Sequence, residues 1–138
     1  MADCIFCKIA AGEIPCTKIY EDDDILSFMD INPISEGHTL VITKGHYKYA
    51  HQCPPELMAK LAAKLPMIAE AVFQVSGADG YNILCNSGKA SGQEVPHLHF
   101  HIIPRFEGDG VLANWPAGKY DSMDKMKDVC NKIRQKLA

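Results

Sequence analysis

The stretch His97-Leu98-His99-Phe100-His101-Ile102-Ile103 is the segment from which the fold of this chain can be predicted. Side chains of a β-strand point alternately to opposite faces, so the three imidazoles share one face and their apolar spacers share the other. We therefore predict a strand over 97–104, with neighbouring rings starting about 6.6 Å apart. Burying several titratable groups side by side is costly, so a metal or a reaction is needed to explain them.

The remaining pattern predicts an α+β fold with a five-stranded antiparallel sheet. Strands outnumber helices and are joined by hairpin-length connections, which favours antiparallel pairing. Caps and apolar stripes predict three helices: a short one opened by Asp3, a long one from Pro54-Pro55 to Gly77, and a last one capped by Ser122. Besides 97–104, we expect strands at 17–20, 25–29, 38–43 and 81–86. The last helix should carry Met126, Val129, Ile133 and Leu137 on one face.

Composition excludes several classes of protein. The 138 residues predict a single domain over 1–138 with its own hydrophobic core. A net charge of −3 argues against a nucleic-acid-binding surface, and no apolar run approaches the roughly 20 residues of a membrane span. The N-terminus has no basic region followed by an apolar stretch, so we expect no signal peptide. Six cysteines without an export signal predict reduced thiols and a cytoplasmic location.

Cys4 and Cys7 form a C-x-x-C pair that allows three interpretations. The pair could be a redox couple, half of a zinc site, or two small residues that pack a helix. No predicted strand precedes it, which disfavours the redox couple. Zinc needs two further ligands, and His46 and His97 are the candidate donors. Because sulfur and imidazole ligands would then fill all four positions, such a zinc would be structural.

The histidine triplet also allows three interpretations. It could be a metal site, a set of buried and hydrogen-bonded histidines, or nucleophilic machinery that acts at phosphorus. Neutral imidazole is nucleophilic near pH 7, which suits a two-step transfer. The small polar loop over 87–94 and the lack of a nearby carboxylate ligand favour phosphorus chemistry. Spacing alone does not choose between the metal and the phosphorus interpretations.

The motifs of the chain resemble those of the histidine triad superfamily. Residues 97–103 match its His-x-His-x-His-x-x signature, in which x is hydrophobic. Further motifs follow in family order between about residues 4 and 105: Cys4-Ile5-Phe6-Cys7-Lys8-Ile9, Glu13-Ile14-Pro15, Phe28-Met29-Asp30-Ile31-Asn32-Pro33, Gly37-His38-Thr39-Leu40-Val41-Ile42, Asn86 and Gly92-Gln93-Glu94-Val95. The chain is most similar to the bacterial-type, zinc-containing branch close to the histidine triad nucleotide-binding proteins.

The resemblance implies three catalytic histidines. His99 would attack the α-phosphorus of an adenylylated substrate and form a nucleotidyl-histidine intermediate. His101 would donate a hydrogen bond to a nonbridging phosphate oxygen, and His38 would assist proton transfer near the leaving group. The first histidine of the triad would hold the ring N–H of the nucleophile through its backbone carbonyl. Zinc would be bound by Cys4, Cys7, His46 and His97.

The resemblance also implies a nucleotide site. Ile14 and Phe28 would cover the purine base, Ile31 would lie near the base and ribose, and Asp30 would accept the ribose hydroxyls. Glu94 stands where some relatives place a serine, and its side-chain role is left open. Trp115 would belong to a substrate-facing C-terminal segment or would anchor a loop. The residues on the phosphate side would be Asn86, Gly92, Gln93 and Glu94, together with His99 and His101.

The predicted activity is hydrolysis at the α-phosphate of a purine nucleotide derivative of the adenosine phosphoramidate type. A histidine rather than a glutamine at the third triad position favours water as the acceptor, by resemblance. Three alternatives stay open: a dinucleoside polyphosphate hydrolase, a nucleotide-binding interaction protein with weak residual activity, and a zinc hydrolase that uses the triplet as its metal site. By resemblance we also expect a homodimer.

Overall fold

Five strands form one antiparallel sheet, as the sequence predicts. The computed structural model describes residues 3–111 and 116–138. Every pair of neighbouring strands runs antiparallel, in the order β1-β2-β3-β5-β4. The strands are β1 (Lys18–Glu21), β2 (Ile25–Met29), β3 (Thr39–Thr43), β4 (Gly80–Cys85) and β5 (His99–Arg105).

Three α-helices accompany the sheet: α1 (Ile5–Ala10), α2 (Pro55–Ser76) and α3 (Met123–Leu137). The predicted cap of α1 is wrong, because Cys4 rather than Asp3 occupies the cap position. The Cys4 Sγ accepts the Cys7 N–H over 3.3 Å, which satisfies a donor that the first helical turn leaves unpaired. The predicted cap of α3 is confirmed, since the Ser122 hydroxyl accepts the Lys125 N–H over 3.1 Å.

The sheet separates two hydrophobic layers. Alternation sends Ile25, Val41 and Ile102 to one face, where α2 covers them, and the interleaved residues to the other face, where α1 lies. The layer against α2 also contains Leu61, Ile68 and Ala69, and the layer against α1 contains Cys4, Phe6, Leu26, Phe28, Leu40 and Ile42. Because α1 has only six residues, much of the second face is left for a cavity.

Strand β5 begins two residues later than the alternating pattern predicts. The N–H of His97 donates to the carbonyl of Val95 over 2.8 Å, and the N–H of Leu98 donates to the carbonyl of Tyr47 over 2.6 Å. The backbone N–H groups of these two residues therefore bond to loop residues and not to a neighbouring strand. The His97 ring still lies on the α1 side, since the Phe6 ring contacts both His97 and His99 at centroid distances of 5.8 and 5.1 Å.

A tight turn at Gly37 leads into β3. Gly37 has a φ of +100°, and a Cβ built there would lie 3.2 Å from Cγ of Pro104. The Ser35 hydroxyl donates to the carbonyl of Pro104 over 2.7 Å and joins the same turn to β5. The turn places His38, which is 2% exposed, at the start of β3.

Helix α3 forms as predicted, and its apolar face is not covered by the rest of the described structure. None of its residues is buried, and Ile133 and Leu137 are 57% and 82% exposed. Trp115 lies outside the described residues. No helix within the described ranges is both long enough and apolar enough to span a bilayer.

Candidate active site

A cavity of about 440 Å³ opens on the α1 side of the sheet. It brings together side chains from β2, β3, β5, the segment after α1 and the loop before β5. Nearly all of the residues predicted to contact nucleotide or to act in catalysis line it: Ile14, Phe28, Asp30, Ile31, His38, Asn86, Gly92, Glu94, His99 and His101.

Gln93 is the predicted nucleotide contact whose side chain is engaged elsewhere. Its Oε1 accepts the N–H of Gly88 over 2.8 Å, and its Nε2 donates to the carbonyl of Lys48 over 2.7 Å. The side chain therefore holds the loop before β5 against the 44–49 segment. A nucleotide contact by Gln93 stays a prediction, and its main chain is the part left to make it.

Several cavity residues were not assigned to the site from the sequence, among them Phe6, Cys16 and Ile34. Phe6 packs edge-on against Phe28 and His99, at centroid distances of 5.6 and 5.1 Å. Its position between two cysteines on a helix was a usable signal, because a C-x-x-C pair that turns inward carries its neighbour with it. Cys16 and Ile34 also line the cavity, and no local pattern marks either of them.

The hydrogen bonds of His99 leave its second ring nitrogen with a lone pair. His99 Nδ1 lies 2.7 Å from the main-chain carbonyl of His97. A carbonyl oxygen only accepts, so Nδ1 carries the proton and Nε2 does not. The nitrogen with the lone pair is the nucleophilic one, which is the arrangement needed for attack on phosphorus.

A backbone N–H fixes the tautomers of the neighbouring pair His38 and His101. The N–H of Ile34 donates to His38 Nδ1 over 3.0 Å, so the proton of a neutral His38 is on Nε2. His38 Nε2 lies 2.9 Å from His101 Nδ1 and 3.5 Å from a carboxylate oxygen of Asp30. His101 Nδ1 therefore accepts, and its proton is on Nε2. The chain of contacts makes His101 Nε2 a donor.

Burial keeps these imidazoles uncharged at neutral pH. Loss of hydration lowers the pKa of His38, His97 and His99 below 6.5. Burial, followed by the neighbouring His99 and His38, lowers the pKa of His101 to about 4. Neutral rings offer lone pairs and N–H donors, which is what a nucleophile and a phosphate-oxygen donor require.

A Cys/His cluster of Cys4, Cys7, His46 and His97 lies beside the cavity. The four donor atoms are within 4.8 Å of one another. His97 Nε2 lies 2.7 Å from the carbonyl of Thr43, so its Nδ1 has the lone pair, and that atom is 3.3 Å from Cys4 Sγ and 3.6 Å from Cys7 Sγ. His46 Nδ1 is 3.4 Å from Cys7 Sγ. Sulfur and nitrogen ligands of a tetrahedral zinc are about 3.6 Å apart, so the cluster fits zinc.

A second group, formed by Asp30, His38 and His101, also brings three potential ligand atoms within 4.8 Å. It does not fit a metal in the same way. The hydrogen bond from Ile34 N–H to His38 Nδ1 leaves His38 Nε2 protonated, and a protonated nitrogen has no lone pair for a metal. A metal there would have to break that bond. This argues against a zinc hydrolase that uses His38 and His101 as metal ligands.

Comparison with known proteins identifies the family. The family model described as "HIT domain" matches residues 11–108, and the chain therefore belongs to the HIT domain family. The Arabidopsis thaliana protein named adenylylsulfatase HINT3 is 47% identical over 112 residues, which are 81% of this chain and 57% of that protein. The chain thus matches little more than half of that plant relative. The Saccharomyces cerevisiae protein named adenosine 5′-monophosphoramidase HNT1 is 42% identical over 137 residues, 99% of this chain and 84% of that protein.

Solved structures of the family share the whole fold. SMU.412c from Streptococcus mutans superposes with a TM-score of 0.93 at 39% identity, covering 100% of this chain and 87% of the other. A protein described as a Zn-bound histidine triad family protein from Mycobacterium smegmatis gives a TM-score of 0.75 at 37% identity, covering 97% of each chain. The fold predicted from the alternating stretch is confirmed, and the relatives named as enzymes support a nucleotide hydrolase at the level of the family.

Proposed function

We propose that this protein hydrolyses adenosine 5′-phosphoramidates, or closely similar purine nucleotide derivatives, through a covalent nucleotidyl-histidine intermediate. The observation that carries the proposal is the hydrogen bond from His99 Nδ1 to the carbonyl of His97. It leaves a neutral imidazole with a lone pair on Nε2, and His99 lines the cavity together with Phe28, Asp30, Asn86 and Glu94. Names of the relatives from Saccharomyces cerevisiae and Arabidopsis thaliana support the same chemistry.

In the first step, His99 Nε2 attacks the α-phosphorus, and the bond from phosphorus to the leaving group breaks. The leaving group departs with a proton that solvent supplies at the cavity mouth. In the second step, water attacks the phosphorus, the bond to His99 breaks, the water gives up a proton to solvent, and the nucleoside monophosphate leaves. We propose that His101 Nε2–H donates to a nonbridging oxygen in both steps, and the contact with His38, which leaves the His101 proton on Nε2, supports this role. Positioning and hydrogen bonding, rather than a catalytic metal, provide the acceleration.

The hydrogen bonds of His38 support a positioning role in this reaction. Its Nε2–H donates to His101, while its Nδ1 is occupied by Ile34. We propose that it keeps His101 in the donor tautomer. Proton transfer to the leaving group by His38, implied by the family resemblance, stays a prediction.

We also propose that the Cys/His cluster binds one structural zinc. The donor distances and the tautomer of His97 support it, as does the Zn-bound relative from Mycobacterium smegmatis. Bound zinc would connect α1 to the loop before β5 and would leave all catalytic nitrogens unligated.

A cytoplasmic homodimer completes the proposal. Strand β4 is an edge strand of the sheet, and Tyr81 and Ile83 on it are 42% and 40% exposed. Phe73 of α2 packs against Tyr81 at a ring distance of 5.6 Å and is itself partly exposed. An apolar edge of this kind favours pairing with another copy. Sedimentation equilibrium of the full chain measures the oligomeric state.

The test of the central proposal is mass spectrometry of enzyme quenched in acid-free denaturant during turnover of adenosine 5′-phosphoramidate. We expect added mass of one adenylyl group on the peptide containing His99. His99→Ala should show neither adduct nor turnover while it still binds adenosine monophosphate. His51→Ala, an exposed histidine outside the cavity, is the matched control and should behave as the parent. Turnover by His99→Ala at the parent rate would falsify the assignment.

Two other functions are separated by simple comparisons. A dinucleoside polyphosphate hydrolase would turn over diadenosine polyphosphates faster than the phosphoramidate. A nucleotide-binding interaction protein would bind nucleotide but accumulate no adenylyl-enzyme. Neutral imidazoles in a catalytic arrangement favour the enzyme over the interaction protein.

A further inference from the structure

The cavity has no positively charged side chain, although the proposed substrate carries a phosphate. Within residues 3–111 and 116–138, no lysine or arginine lines it, and Asp30 and Glu94 are its only acidic side chains. Sites that bind several phosphates usually use arginine or lysine for their charge. The donors available here are N–H groups of the main chain, the amides of Asn32 and Asn86, and the imidazole of His101. Such neutral donors suit a single negative charge.

The histidines do not supply the missing charge. Burial lowers the pKa of His38 below 6.5, and burial with its neighbours lowers the pKa of His101 to about 4. Their hydrogen bonds give the same result independently. Each ring nitrogen of His38 already has a partner, and His101 Nδ1 faces a donor, so an added proton would have to displace a hydrogen bond.

The two carboxylates have different surroundings. Asp30 accepts the N–H of Asn32 over 2.9 Å and lies 3.5 Å from His38 Nε2, so it is held within the site. Glu94 is exposed at the cavity wall, and none of the ion pairs among the described residues includes it. Its neighbour Gln93 is buried and bonded to Gly88 and Lys48, which keeps the backbone of this segment in place. Glu94 is therefore a negative charge without an ion-pair partner among the described residues, on a backbone segment that Gln93 holds in place.

We propose that Glu94 is a specificity-determining residue that selects substrates by the charge of the leaving group. This inference rests on the proposed function. In a single-phosphate nucleotide, a cationic leaving group would be attracted by the Glu94 carboxylate, and a neutral leaving group would be unaffected by its charge. An anionic leaving group, such as a further phosphate, meets repulsion with no cation to offset it. The substrate class is thus nucleoside 5′-phosphoramidates of amines that carry no negative charge.

The test uses three adenosine 5′-phosphoramidates whose amine portions have similar size and different charge. They carry 3-(trimethylammonio)propyl, butyl and 3-carboxypropyl groups on the phosphoramidate nitrogen. The measurement is kcat/KM from the release of adenosine monophosphate. We expect the parent to prefer the cationic substrate over the anionic one. Glu94→Gln should reduce that preference by about tenfold, the effect of removing one charge about 6 Å from the group in a water-like medium. The charge-matched control Glu56→Gln, exposed on α2, should leave the preference unchanged.

Raising the salt concentration provides a second arm. Because exposed charges are screened, 0.5 M KCl should reduce the parent's preference and change that of Glu94→Gln little. The same preference in the parent and in Glu94→Gln would overturn the inference and leave the proposed hydrolase standing.

Binding separates the failure of the inference from that of the proposed function. Calorimetric affinities for the three compounds are measured in His99→Ala with and without Glu94→Gln. If the parent turns over none of the substrates, the hydrolase proposal fails. A charge preference in binding that Glu94→Gln removes would then still support the inference, and equal affinities would overturn it.

Discussion

The main-chain carbonyl of His97 holds the ring of His99, the proposed nucleophile, while the ring of His97 belongs to the Cys/His cluster. Its carbonyl accepts the Nδ1–H of His99 over 2.7 Å, and its own Nδ1 lies 3.3 Å from Cys4 Sγ. In the proposed function, one residue therefore serves catalysis and metal binding through different atoms. If the Cys/His cluster moves, the carbonyl of His97 should move with it and shift the ring of His99.

The first prediction concerns the metal. The parent should contain one zinc per chain, and Cys7→Ser should contain close to none. Since a ligand that binds only the folded state at 1,000 times its Kd adds about 4 kcal/mol of stability, loss of zinc should lower Tm by about 10 °C. Elemental analysis and thermal unfolding measure both. The control is Cys130→Ser on α3, where the thiol is exposed. Two zinc ions per chain in the parent would contradict the assignment of His38 and His101 as unligated.

The second prediction concerns the tautomer of His101. His38→Ala removes the donor to His101 Nδ1, so kcat should fall by about 100-fold, as when one donor to a reacting oxygen is lost. Affinity for adenosine monophosphate should change by less than about threefold, because His38 acts through His101. His38→Gln should recover part of the loss, since its amide can donate. Steady-state kinetics and calorimetry give the two values. A loss of affinity equal to the loss of kcat would show that His38 binds the substrate directly.

The third prediction concerns Phe6. This ring is 6% exposed and packs against Phe28, His97 and His99. Phe6→Ala should lower the free energy of unfolding by about 3 kcal/mol and reduce kcat, because the cavity that it creates lies beside the nucleophile. Urea unfolding measures the stability. Phe106→Ala, where the ring is 39% exposed, should cost less than about 1 kcal/mol. Similar costs for the two variants would mean that α1 does not pack as described.

The fourth prediction concerns pH. The pKa of His101 is about 4 in the folded protein against 6.5 ordinarily, so the unfolded chain takes up the proton first as the pH falls. The contribution of His101 should therefore lower the free energy of unfolding as the pH falls from about 6.5 to about 4. His101→Asn should show a shallower decrease than the parent over that window in urea unfolding. Parallel curves for the two proteins would mean that His101 is not kept neutral by its surroundings.

The fold could be predicted largely because its signals are local. Alternation marked β5, and Ser122 and Gly77 marked helix ends. The first residue of β5 was predicted two positions too early, because a residue joins a sheet only if it bonds to a neighbouring strand that is distant in sequence. The N–H of Leu98 bonds to Tyr47, a residue that no pattern within the strand identifies. The cap of α1 was missed for a similar reason, because a thiol that turns inward beside a histidine can also accept an N–H.

The site was predictable where the residue type itself carries the chemistry, as with His99 and Asp30. Ile34 contributes a backbone N–H to His38, and any residue other than proline has that group. Cys16 reaches the cavity because β1 and β2 pair, which no local spacing records. For Gln93 the motif was misleading in the other direction. It predicts a ligand contact, but the side chain is bonded to Gly88 and Lys48 and holds the loop.

Gly37 has no side chain, yet its turn sets the position of His38 beside the candidate site. A methyl group there would press on Pro104 of β5 from a backbone angle that other residues rarely adopt. The strain would move the next residue, His38, away from its neighbour on β5. A replacement of Gly37 would therefore resemble a catalytic defect in an assay, although Gly37 is not among the residues that line the cavity.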